Sequence, residues 1–65
     1  MKNGRGKTVN ERLNEDIKYA EATTEISDRT LLATKALGAA DLAVEFGLIT
    51  YTEWTTYIDK IFEIL

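Results

Sequence analysis

The chain has no cysteine, no histidine and no proline, and it carries a single serine and four glycines among 65 residues. Without cysteine there is no disulfide framework, no thiolate nucleophile and no zinc ribbon. Without histidine, the usual general base at neutral pH and the commonest metal ligand are both missing. Ser27 has no histidine or Ser-x-x-Lys arrangement to activate it. Without proline, nothing breaks a helix from within. No apolar run approaches the ~20 residues that span a bilayer, and no apolar segment follows the basic first residues as a secretory signal requires. These absences lead us to expect a soluble, cytoplasmic, helical protein with no enzymatic activity, no cofactor and no metal.

A chain of 7.3 kDa has room for one core. It exposes roughly 10,500 Å² unfolded and about 4,200 Å² folded. Burying the apolar part of the difference contributes on the order of 90 kcal/mol. Ordering about 58 residues costs a similar amount at ~1.5 kcal/mol each. A lone copy is therefore marginal, and helix ends, self-association or a partner must add to it.

Charge divides the chain. Lys2, Arg5 and Lys7 stand with Gly4 and Gly6 in residues 1–7 and no acid, which predicts a flexible basic arm. Removing those three leaves five bases against all eleven acids in residues 8–65, a net of −6.

Thr8-Val-Asn-Glu11 has the form of a capping box. Val9, Leu13, Ile17 and Ala20 then recur at helical spacing, predicting a first helix over about 8–26. Thr23-Thr24 weakens its end, and Ser27 or Asp28 is the expected cap of the next; one unbroken helix from 8 to 46 is the alternative. The second helix, about 28–46, is apolar around most of its circumference, so it is expected to be central and buried on most sides. Gly47 is placed as a left-handed stop, with Leu48 folding back. Thr50-Tyr-Thr-Glu53 forms a second capping box, with Ile49 and Trp54 at the positions of a hydrophobic staple. The third helix, about 51–65, gathers Trp54, Tyr57, Ile58, Ile61, Phe62 and Leu65 on one face. Nothing reads as a strand. The expected fold is an all-α three-helix bundle in residues 8–65 behind the basic arm.

Four carboxylate pairs fall at helical spacing: Glu11/Glu15, Glu21/Glu25, Asp41/Glu45 and Asp59/Glu63. No glycine-containing loop adds the further oxygen ligands a hard cation needs, so these read as solvated faces. Ala43, Phe46, Gly47 and Leu48 resemble the first half of a helix-turn-helix. The second half fails, because Glu53 and Thr56 occupy apolar positions. Glu53, Asp59 and Glu63 would also face the phosphates that DNA binding must neutralise.

Partner binding is the class that remains. Glu11, Glu15, Glu21 and Glu25, with Asp28 just beyond, are expected to form an acidic face that steers toward a basic protein surface. The alternative is a small dimeric nucleic-acid-binding regulator using Lys2, Arg5 and Lys7. The aromatic face of the third helix reads first as core. It is wider than one neighbour would cover, which makes Tyr51, Trp54 and Tyr57 a candidate seam of a homodimer.

Residues 37–61, and within them Phe46-Gly-Leu-Ile-Thr-x-x-Glu-Trp54 followed by Tyr57 and Lys60-Ile61, resemble the C-terminal portions of small helical proteins from phages and mobile elements of Gram-positive bacteria. Anti-CRISPR inhibitors are among such proteins. The resemblance implies an inhibitor that binds a host protein, such as a nucleic-acid-handling defence enzyme. It carries over no catalytic residues.

Overall fold

A computed structural model describes residues 8–65 as three helices: α1 (Val9–Ala22), α2 (Ile26–Glu45) and α3 (Tyr51–Ile64). The basic arm expected over residues 1–7 lies outside the described residues. α2 packs against both of its neighbours, whereas α1 and α3 share the smallest interface. The Cα envelope is correspondingly flat, 34 × 26 × 14 Å.

Both capping boxes form. Thr8 Oγ1 accepts from the Glu11 amide at 3.1 Å, and Glu11 Oε1 accepts from the Thr8 amide at 2.9 Å. At α3 the reciprocal distances between Thr50 and Glu53 are 3.0 and 2.8 Å. Each box satisfies two backbone donors at a helix start that would otherwise lack partners.

α2 ends as Gly47 predicts. This residue takes φ +72°, a conformation that glycine adopts without steric cost. The Gly47 amide donates to Val44 O at 3.2 Å and the Leu48 amide to Ala43 O at 2.8 Å, which is the paired bonding of a Schellman stop. Leu48 folds back through its backbone only, since its side chain stays exposed. Ile49, just before α3, is buried, and Trp54 packs half-buried against the core.

Three expectations need correction. α1 stops at Ala22, four residues early, because Thr23 turns extended (φ −82°, ψ 123°) and its hydroxyl donates to Tyr19 O at 2.8 Å. The unbroken helix over 8–46 is excluded by the same turn. Neither Ser27 nor Asp28 caps α2. Glu25 does, with its Oε1 accepting from the Asp28 amide at 3.2 Å, and Asp28 sits in the first turn, where a negative charge suits the helix dipole.

The third correction concerns α2, which is central but not buried on most sides. Its inward stripe is Ala33, Ala36, Ala40 and Ala43, all buried, while Leu31 and Leu42 remain exposed. Small side chains let α1 and α3 approach closely, and the larger core residues come from them: Leu13 and Ile17 from α1, Tyr57, Ile58 and Ile61 from α3.

Candidate protein-interaction surface

Because Leu13, Ile17 and Ala20 turn α1 inward, the opposite side of that helix presents Glu11, Glu15 and Lys18, all exposed. Glu21 is exposed as well, but at ~100° per residue it stands about 120° around the helix from Glu15. Glu25 lies in the linker and Asp28 on α2, both exposed. The five expected acids thus occupy α1, the linker and α2 in turn. The pair Glu21/Glu25 is split between the end of one helix and the cap of the next. Two of the five already hold backbone: Glu11 closes the first capping box and Glu25 caps α2. Each cap engages one carboxylate oxygen, so the charge remains at the surface.

Of these acids, Asp28 lines a shallow cleft of about 200 Å³ between the end of α1 and the start of α2, together with Tyr19, Thr23, Leu31 and Leu32. A second cleft of about 220 Å³ is lined by Thr8, Val9, Arg12, Leu13, Asp16 and Ala39. Among the described residues no group of three or more carboxylates is placed to hold a metal ion. Among them, too, no helix is long and apolar enough to cross a membrane.

The candidate dimer seam is divided by the fold. Tyr57 is only 6% exposed and belongs to the core. Trp54 is half-buried, and its indole Nε1–H donates to Asp41 Oδ1 of α2 at 2.8 Å. Tyr51 is exposed, with its ring centroid 5.3 Å from that of Trp54 at a 33° tilt. Only Tyr51 faces fully outward. Lys2, Arg5 and Lys7 lie outside the described residues.

One cluster escaped sequence reasoning. The Tyr57 hydroxyl donates to Asn10 Oδ1, and Asn10 Nδ2 donates to Glu53 Oε2 at 3.2 Å. Glu53 is therefore half-buried and bonded across to α1, not displayed on an open recognition face. Burial pushes the Tyr57 hydroxyl above its usual pKa; the Glu53 charge adds to this, and hydrogen bonding from Asn14 opposes it. The partners are 43 and 47 residues apart, and no local pattern announces such a contact.

The chain matches no protein-family model, no curated protein and no solved structure.

Proposed function

We propose that this chain is a non-enzymatic protein-interaction module that uses the acidic side of α1 and the linker to engage a basic surface on another protein. The observation that carries the proposal is the exposure of Glu11, Glu15, Glu21, Glu25 and Asp28 on a body of net −6. A helix-borne acidic surface raises the on-rate toward a basic partner and occupies a groove meant for nucleic acid. With the resemblance to phage and mobile-element proteins, the reading is an inhibitor of a host protein that handles nucleic acid, acting in the cytoplasm.

The test is capture from a nuclease-treated Gram-positive lysate on the immobilised chain, eluted with rising salt and read by mass spectrometry. A dominant protein released by salt, and lost with Glu15→Lys plus Glu21→Lys, supports the reading. These two positions leave the Glu11 and Glu25 caps untouched, so circular dichroism should stay unchanged. Equal capture by the double variant would overturn the acidic-face mechanism.

A further inference from the structure

The cleft between the end of α1 and the start of α2 combines apolar walls with hydrogen-bond acceptors. Tyr19, Leu31 and Leu32 supply the apolar surface, and Tyr19 and Leu31 are 65% and 54% exposed. Thr23 and Asp28 supply polar atoms. The Thr23 hydroxyl donates its proton to Tyr19 O at 2.8 Å, so its oxygen is left to accept. Asp28 is acceptor-only when ionised, and among the described residues its carboxylate has no hydrogen bond or ion pair.

The electrostatics of this corner call for a cation. The last carbonyls of a helix carry the negative end of its dipole, and α1 has no basic residue in its last turn to meet it. Glu25 adds a second carboxylate, since its Oε1 accepts from the Asp28 amide at 3.2 Å. That bond also satisfies a donor at the positive end of α2. None of the five lining residues is basic. Arg29 does not fill the gap. At ~100° per residue it follows the inward stripe of Ala33, Ala36 and Ala40, and its Nε is buried.

We propose that this cleft seats an arginine side chain of the basic partner, an assignment that rests on the acidic-surface reading above. The planar guanidinium fork donates to the Asp28 carboxylate and to Thr23 Oγ1. Its face stacks on the Tyr19 ring, and its methylene stem lies along Leu31 and Leu32. A lysine ammonium is a compact, strongly hydrated charge that makes poorer use of a flat aromatic wall. The size suits a side chain: about 200 Å³ falls below the ~300 Å³ at which small-molecule sites begin. Arginine is also among the residues that anchor interfaces most often.

Two-dimensional NMR of the full isotope-labelled chain, titrated with Nα-acetyl-arginine amide, reads the cleft without any partner. The expected result is a saturable shift of the Tyr19, Thr23, Asp28, Leu31 and Leu32 amides. Nα-acetyl-citrulline amide keeps the shape of the guanidinium without its charge, and it should bind at least ~5-fold more weakly. Asp28→Asn should weaken arginine binding ~3–10-fold, and Tyr19→Leu should weaken it ~2–5-fold. Asp59→Asn, which removes the same charge from α3, should leave it unchanged. Tyr19 and Asp28 are both exposed, so each variant should keep its helicity. Shifts spread over the whole acidic surface would overturn the proposal, as would equal binding of the citrulline or acetyl-lysine amide, or indifference to Asp28→Asn.

Lysate capture separates this site from the reading beneath it. Capture that is lost with Glu15→Lys plus Glu21→Lys but untouched by Asp28→Asn overturns the cleft and leaves the acidic surface in place. Arginine seated in the cleft with no protein captured supports the guanidinium site and counts against the acidic-surface reading.

Discussion

Trp54 and Asp41 are joined at 2.8 Å, indole Nε1–H to carboxylate Oδ1, thirteen residues apart across the Gly47 turn. The Schellman stop sets the direction in which the chain leaves α2, the Thr50 box starts α3, and this bond ties the two helices together beyond the turn. Asp41→Ala should cost about 1 kcal/mol through the lost hydrogen bond and shift tryptophan emission to longer wavelength. Trp54→Ala, which also removes a half-buried ring, should cost about 2–3 kcal/mol. Thermal melts of both variants check the order, and equal losses would mean that the ring contributes nothing beyond its bond.

The two capping boxes look equivalent in sequence and are not equivalent in the fold. Glu11 serves its box alone among the bonds described, whereas Glu53 also accepts from Asn10 across the α1–α3 interface. Glu53→Ala should cost about 2 kcal/mol and Glu11→Ala about 0.5–1 kcal/mol. Hydrogen exchange should report local fraying at the start of α1 for Glu11→Ala. For Glu53→Ala the loss of protection should reach both α1 and α3.

Tyr57 links pH to stability. Its hydroxyl titrates above the usual value of 10.0 in the folded chain, through burial and the neighbouring Glu53 charge. A folded pKa raised above the unfolded one means that the folded state holds the proton more tightly. The stabilisation is therefore complete below pH ~10 and is lost as pH rises through the folded pKa. Melting temperatures followed from neutral to strongly alkaline pH should fall at the alkaline end. The fall should be shallower for Tyr57→Phe, which has no proton to lose at this site. An equally steep fall in Tyr57→Phe would assign the alkaline loss to other groups.

The alanine stripe makes a sharp contrast between adjacent residues. Ala40 is fully buried between α1 and α3, and Ala39 is exposed. Ala40→Leu should destabilise by about 1–3 kcal/mol through overpacking. Ala39→Leu should fall within about 0.5 kcal/mol of the parent chain. Denaturant midpoints for the two variants separate a tightly packed α2 face from a loosely filled one.

Local structure was legible because its causes are local. Both capping boxes, the Gly47 stop and the inward stripe of α1 depend on residues within a turn or two of one another, and all appear where their spacing predicts them. α1 ends four residues before its expected limit because Thr23 and Thr24 weaken a helix without naming where it stops. The Thr23 hydroxyl and the Glu25 cap settle that point. For the acidic surface, the sequence specified which residues are charged, and helix rotation and the break at Thr23 distributed them over three elements.

By itself, then, the sequence determined the class of fold, the starts of α1 and α3, the Gly47 turn and the absence of cysteine and histidine. Each of these follows from backbone chemistry or composition. Only the tertiary structure decided which side of α2 is covered, that Tyr57 belongs to the core, and that Glu53 and Asn10 join α3 to α1. Contacts separated by 43 and 47 residues exist only once three helices have packed. Their rotation is chosen by the fit of four alanines between larger side chains, a property of the assembled bundle that no single segment carries.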